Sequence, residues 1–356
     1  IRRNTADGCW RPPDSRCRLP PEALRQSERV TVFVIWNSSQ TPDGPTRAGW
    51  VQKTFPSVNV LPVVDIHTDE VDAEAEATGD IDTIAQVFTQ SSTMWAVYAT
   101  DILKGDTVDA VFSSEEYGQR WAEALGVAHV AVDPHRTYLP ISGTAIRNDP
   151  YLHWPFINRF ARQQYLKRVL IVGPESTGKT TMCRNLSLKY GTVYSPEYGR
   201  IYDEQTRKPK EAFDPARWRV IYSNIVNEQP KLNRRAEADA RLVCFYDTDL
   251  LTTAMWYKEW QPEYGEDGLY HSILHAAKQE PPFDAVIIMP LAPWVDDGFR
   301  GQTDEVRQKF YEQLMRDHKD TPHKVLESRS WADKESESIR IVNSLFKGSQ
   351  VTLPTP

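Results

Sequence analysis

Gly173-Pro174-Glu175-Ser176-Thr177-Gly178-Lys179-Thr180-Thr181 follows directly on an apolar run, Val169-Leu170-Ile171-Val172. The nine residues fit G-x-x-x-x-G-K-[ST] in full, and the run before them reads as a strand. A strand feeding such a loop cradles phosphate. Gly173 and Gly178 allow a tight turn, so that successive backbone N–H groups and the positive end of the next helix face the β- and γ-phosphates of a nucleotide. Lys179 adds a point charge there, and Thr180 places a hydroxyl where it completes a Mg²⁺ shell otherwise made of water and phosphate oxygens. The expected ATP-binding residues are Gly173, Glu175, Ser176, Thr177, Gly178, Lys179, Thr180 and Thr181. Met182, Leu186 and Tyr190 then recur on one helical face, and Gly191 is placed to end that helix.

The chain's 356 residues suffice for two domains of ordinary size, and one phosphate loop near the middle leaves about half of them for something else. A net charge of −7 and a pI near 5.7 argue against binding nucleic acid or an anionic membrane through overall charge. No stretch approaches the ~20 apolar residues that span a bilayer, and the first residues lack the apolar centre of a signal peptide. A cytoplasmic chain without nucleic-acid or membrane partners is expected, and a homo-oligomer is compatible with this composition. Cys9, Cys17, Cys183 and Cys244 show neither CxxC pairing nor histidines at zinc-ligand spacing, so no disulfide framework or structural metal is indicated.

Residues 1–20 carry no apolar period and form an unassigned leader. From there the rhythm is strand and helix in alternation, as in nucleotide-binding α/β folds. Strands are expected at 30–36, 58–64, 110–112 and 127–132, with helices opening at 46, over 81–99 and over 115–125. Residues 65–82 form an acidic loop, read as solvated surface because Asp65, His67 and Asp69 lack a frame that would converge them on a metal. In Pro140-Ile141-Ser142-Gly143-Thr144-Ala145-Ile146-Arg147, hydroxyls flank a helix start and an arginine follows one turn later. Those residue types grip a phosphate, and they equally well cap a helix.

Beyond the phosphate loop, a strand ends at Ser195-Pro196-Glu197-Tyr198-Gly199-Arg200, and a long helix covers 216–238. Strand 242–246 closes on Asp247-Thr248-Asp249, the usual form of a carboxylate that holds the water shell of magnesium. Strand 284–289 leads into Pro293-Trp294-Val295-Asp296-Asp297-Gly298-Phe299-Arg300 and a charged helix over 303–318. There Arg300 suits a lid that closes on the nucleotide. A strand at 324–326 and a helix over 334–346 complete the sheet.

Taken together, these segments stand in the order of one family. Thr46-Arg47-Ala48-Gly49-Trp50, Ser113-Ser114-Glu115-Glu116, Asp133-Pro134-His135-Arg136, the segment 141–147, the phosphate loop, Glu197 to Arg200, Asp247 to Asp249 with Thr252 and Thr253, and residues 293–300 are its marks. Over about residues 21–347 the chain resembles the NadR-type bifunctional proteins, which carry nicotinamide mononucleotide adenylyltransferase and ribosylnicotinamide kinase domains in tandem. The resemblance implies an α/β chain with two parallel-sheet domains: an incomplete Rossmann-like nucleotidyltransferase fold over 21–160 and a P-loop kinase fold over 161–350. It implies NAD biosynthesis and salvage, with ATP and Mg²⁺ as cofactors and ribosylnicotinamide or nicotinamide mononucleotide as the other ligand.

Carried over by residue, Lys179 and Thr180 would serve ATP and its metal, and Asp247 would support that metal. Glu197 resembles the base that accepts the 5′-hydroxyl proton, with Asp249 as the other candidate. Tyr198, Arg200, Trp294 and Asp297 would line the riboside site with Glu197, and Arg300 would be the lid arginine. Arg47 and Trp50 resemble a mononucleotide-side pair, with Ser142, Thr144 and Arg147 for phosphate. The chain departs from the family upstream of Val30, where no Gly-x-Phe-x-Pro-x-His-x-Gly-His turn occurs and residues 1–20 take its place. Adenylyl transfer is therefore expected to be impaired. The family's DNA-binding helix-turn-helix extension is absent from this sequence as well. A P-loop kinase of another nucleoside, and an N-terminal domain that senses NAD or the mononucleotide, are the alternative functions.

Overall fold

Parallel strands buried on both faces read as unbroken apolar runs, and the run at 169–172 sits at the centre of such a sheet. The computed structural model describes residues 19–36, 40–64, 97, 100, 101, 103, 107–114, 117–206, 215–293, 303–328 and 330–356. The chain forms two compact units, Ile1–Asn148 with Pro155–Ala161, and Asp149–Trp154 with Arg162–Pro356. The expected helix over 81–99, the acidic loop, Cys9 and Cys17 lie largely or wholly outside the described residues.

In the first unit, helix α1 (Leu19–Gln26) precedes β1 (Thr31–Trp36), which pairs in parallel with β2 (Asn59–Val64). Parallel neighbours need a crossover, and α2 (Gly44–Thr54) supplies it. Asp43 starts that helix by accepting the Thr46 N–H at 2.8 Å, with Pro45 in its first turn, where a missing N–H costs nothing. A second βαβ unit follows: β3 (Ala110–Ser113), α3 (Tyr117–Leu125) and β4 (Ala128–Ala131), again with parallel pairing. Short helices α4 (Gly143–Asn148) and α5 (Arg159–Tyr165) lead on.

The second unit is built on a five-stranded parallel sheet of order β6-β7-β5-β8-β9. Its strands are β5 (Lys167–Val172), β6 (Tyr194–Ser195), β7 (Val243–Tyr246), β8 (Ala285–Ile288) and β9 (His323–Val325). All residues of β7 and β8 are buried, which accounts for their legibility as runs of Val, Ile and Phe. Helix α6 (Lys179–Tyr190) returns from β5, buries Met182, Leu186 and Tyr190, and stops at Gly191 in the left-handed conformation. Cys183 and Cys244 are free thiols within this core, and burial pushes both up, Cys244 to about 12. Among the described residues no helix is long and apolar enough to cross a membrane.

Three helices share a second core beside this sheet: α8 (Pro215–Asp239), α9 (Leu250–Trp260) and α10 (Gly268–Gln279). Ile221, Tyr222, Ile225, Leu250, Ala254, Tyr257 and Ile273 form it. Arg219 on α8 locks the three together, bonding the Tyr257 hydroxyl and pairing with Asp267, the cap of α10, at 2.7 Å. Helix α7 (Tyr198–Thr206) lies against α8, so closely that a methyl group on Gly199 would meet the Ile225 side chain at 3.0 Å. Helices α11 (Asp304–Asp317) and α12 (Trp331–Ser344) complete the unit.

Candidate active site

Strand order reverses at β5, with β7 and β6 to one side and β8 and β9 to the other. In open α/β sheets the crevice beyond the carboxyl ends of the strands at such a reversal is where ligands bind. The loop from β5 to α6 occupies it. Ser176 and Gly178 both take left-handed backbone conformations, φ 61° and 88°. Thr177 Oγ1 donates to Pro174 O at 2.8 Å inside the loop, and Lys179 Nζ lies 3.0 Å from the same oxygen. The lysine ammonium thus sits over the cradle, where phosphate oxygens would replace the carbonyl as acceptors.

Trp331, the first residue of α12, is 37% exposed and lies against Gly178, whose added Cβ would come within 2.8 Å of the indole. Helix α12 is joined to α6 by Lys189 with Glu335 at 3.0 Å and by the Tyr190 hydroxyl on Asn343 at 2.6 Å, which places the start of α12 beside the loop. Gly178→Ala therefore meets a left-handed backbone, with the outer edge of the indole in the path of the new methyl group. It is expected to weaken ATP binding at least about tenfold, which calorimetric titration would measure; unchanged affinity would contradict this account of the loop.

The neighbouring strand ends bring carboxylates to the same edge. Thr180 Oγ1 donates to Asp247 Oδ2 at 2.6 Å. Asp247 is 1% exposed, and its Oδ1 has no hydrogen-bond partner. Burial, and next the charge of Glu197, push the Asp247 carboxyl up to about 7, against the pull of Lys179, Thr180 and Arg200. An orphaned buried carboxylate oxygen beside a threonine hydroxyl is a donor set of hard oxygens and fits a divalent cation such as Mg²⁺. Among the described residues no three His, Cys, Asp or Glu side chains converge on one point. A cation here would take most of its shell from water and phosphate.

The two candidates for a base differ in their engagement. Asp249 is 7% exposed and serves as the cap of α9, its Oδ1 accepting the Thr252 N–H at 2.8 Å, while its Oδ2 lies 3.7 Å from His318 Nε2. Glu197 is half-buried and stands just before α7, its carbonyl accepting the Ile201 N–H at 3.2 Å. Its negative charge is felt at both Asp247 and the buried Tyr222. Tyr198 packs its ring 6.1 Å from that of Tyr202, and Arg200 pairs with Glu204 at 2.6 Å, its charge also reaching Asp247. Lys179, Thr180, Glu197, Arg200 and Asp247 are thus brought to one edge. Trp294, Asp297 and Arg300 lie outside the described residues.

Sequence reading missed the aromatic surroundings. Trp218 and Tyr222 on α8 pack with tilted rings, and Tyr222 meets Tyr257 of α9 edge-on; only the density of aromatic residues in 198–270 hinted at them. Trp331 follows a Ser330 cap that a search for S-x-x-D would have found.

In the first unit, Arg47 donates to Ile35 O at 3.2 Å and Gln40 Oε1 at 2.8 Å, which ties it to the end of β1. Trp50 is half-buried on the same helix. Asp133 organises the turn before α4, its carboxylate accepting from the N–H groups of Thr137, Tyr138 and Leu139 at 2.7, 3.2 and 3.0 Å. Ser142 Oγ accepts the Ala145 N–H at 3.0 Å, and Arg147 donates to Thr144 Oγ1 at 3.0 Å. The Ser142 hydroxyl oxygen acts as a helix cap.

Comparison with known proteins agrees with this architecture. The family described as an AAA domain matches residues 168–334. The trifunctional NAD biosynthesis/regulator protein NadR of Escherichia coli strain K12 is 30% identical over 285 residues, which are 78% of this chain and 63% of the relative. NadR of Salmonella typhimurium is 30% identical over 235 residues, 62% of this chain and 53% of the relative. The chain thus spans less than two thirds of the length of these curated relatives. Two crystal structures of NadR protein, one in complex with NR and one with NAD and AMP-PNP, share its fold. Their TM-scores are 0.66 and 0.65 at 18% identity; each alignment covers 94% of this chain, and 92% and 93% of the respective structures. The resemblance to the NadR-type proteins and the α/β fold class are borne out.

Proposed function

We propose that this chain, similar in sequence and fold to the NadR-type proteins, is a kinase of pyridine nucleotide salvage that moves the γ-phosphoryl group of ATP to the 5′-hydroxyl of ribosylnicotinamide. The observation that carries the proposal is the juxtaposition of the phosphate loop with Thr180 on Asp247 at 2.6 Å and with Glu197 at the next strand end but one.

In this reading the loop N–H groups and Lys179 bind the β- and γ-phosphates, and the loop residues Glu175, Ser176, Thr177 and Thr181 shape the cradle. Thr180 and Asp247 would hold Mg²⁺, which when bound supplies charge neutralisation between the phosphates. The 5′-oxygen forms its bond to the γ-phosphorus as the bond to the bridging oxygen of ADP breaks, and Glu197 takes the hydroxyl proton. Tyr198 offers an aromatic face for the cationic nicotinamide ring, and Arg200 a donor for the ribose. By resemblance alone, Trp294 and Asp297 complete the riboside site and Arg300 the lid.

Arg47, Trp50, Ser142, Thr144 and Arg147 support a mononucleotide and phosphate site in the first unit. Adenylyl transfer there also needs charge neutralisation at the departing pyrophosphate, where each such group is worth about 10²–10³ in rate. Incubation with ATP, Mg²⁺ and ribosylnicotinamide should yield the mononucleotide and ADP, and incubation with ATP, Mg²⁺ and the mononucleotide tests adenylyl transfer separately. Separation of the products decides both points. A panel of nucleosides phosphorylated in preference to ribosylnicotinamide would move the substrate assignment while leaving the kinase in place.

A further inference from the structure

We infer that Gln229 is a positioning residue of the kinase site, which sets the Glu197 carboxylate by gripping the backbone on both sides of it; the inference rests on Glu197 as the base. The need for such a grip follows from the local sequence. Strand β6 pairs with β7 only through Tyr194 and Ser195. Pro196 has no N–H with which to extend the ladder. The first N–H groups of α7 have no partner within the helix. Glu197 therefore stands between the two elements, outside the ladder and joined to α7 through its carbonyl, which accepts the Ile201 N–H at 3.2 Å.

Gln229, on α8 and 1% exposed, supplies what is missing. Its Oε1 accepts the Tyr198 N–H at 2.8 Å, and its Nε2 donates to Pro196 O at 3.0 Å. Because the first partner only donates and the second only accepts, the orientation of the amide is determined. The remaining Nε2 hydrogen goes to Asn233 Oδ1 at 3.0 Å. Asn233 accepts from Ser195 Oγ at 2.7 Å as well and donates to Glu280 at 2.8 Å. The Ser195 carbonyl in turn accepts the Asp247 N–H at 3.0 Å. One buried network thus holds the backbone from Ser195 to Tyr198 and joins it to Asp247. A network with every member bonded is rigid, and side-chain amides only 1% and 4% exposed are shielded from solvent that could substitute for these bonds.

The test is a double-mutant cycle on the full chain, assayed with ATP, Mg²⁺ and ribosylnicotinamide. A base displaced by about 1 Å costs up to ~10² in rate. Gln229→Leu is expected to lower kcat between about 10- and 100-fold, with KM for ATP within about threefold, because the phosphate loop hangs from a different strand. In a Glu197→Gln background the same change should cost less than about threefold, since the group it positions no longer takes the proton. Gln229→Asn, which keeps the amide and withdraws it, should act in the same direction to a smaller extent and serves if the leucine variant does not fold. Equal fold losses in both backgrounds, or a loss confined to KM, would overturn the inference and leave Glu197 as the base. If Glu197→Gln alone turns over normally, the assignment of the base fails, and the role of Gln229 falls with it for that separate reason.

Discussion

Lys179→Ala should abolish phosphoryl transfer from ATP, by on the order of 10³ or more in kcat/KM, while the protein stays folded. The argument is one of position. Lys179 begins α6, and its ammonium lies 3.0 Å from Pro174 O, above the turn whose N–H groups would receive the phosphates. As the γ-phosphoryl group moves, negative charge gathers on the oxygens nearest that ammonium, and a preorganised cation there lowers the barrier without having to rearrange. The side chain fills no part of the core. Its removal takes one part-buried hydrogen bond from the loop, and alanine is a good residue for the start of a helix. Melting temperatures of variant and parent should agree within a few degrees. Unaltered turnover in this variant would sink the phosphate-loop assignment; a collapsed melting temperature would show that Lys179 is structural.

That loop was legible because its chemistry is local. Phosphate binding by backbone N–H groups demands glycines at fixed spacing, and a strand and a helix on either side, all within about 25 residues. Strands β7 and β8 were equally plain, because a central parallel strand is buried on both faces and leaves no polar interruption. Asp247 could be picked out as the residue that closes such a run. Helices α9 and α10 were not read. Leu250, Ala254 and Tyr257 are buried, but so are Thr252 and Thr253 between them, and a helix enclosed on several sides carries no clean period. Helix α7 was hidden within a motif read for its residue types. The grip on Glu197 was beyond reach of the sequence for another reason: Gln229 meets its partners across 31 and 33 residues, and a buried glutamine on a long polar helix looks like any solvated one until the helix is packed.

The choice between two carboxylates is where geometry adds most, and Glu197→Gln against Asp249→Asn tests it. Glu197→Gln is isosteric and keeps a polar group before α7, yet it cannot accept the 5′-hydroxyl proton. Turnover should fall about 10² or more, with KM for ribosylnicotinamide changing far less, since a general base acts on the transition state and not on the bound substrate. Asp249 is differently committed. It caps α9 through the Thr252 N–H at 2.8 Å and is buried beside His318, so a second hydrogen-bonded duty would compete with the first. Asparagine caps a helix nearly as well as aspartate, so Asp249→Asn should leave kcat within about threefold and show any cost in the melting temperature instead. The opposite pattern, a large kcat loss for Asp249→Asn with Glu197→Gln near normal, would exchange the roles. The base would then come from β7, beside Asp247, and the segment between β6 and α7 would keep only its part in lining the riboside site.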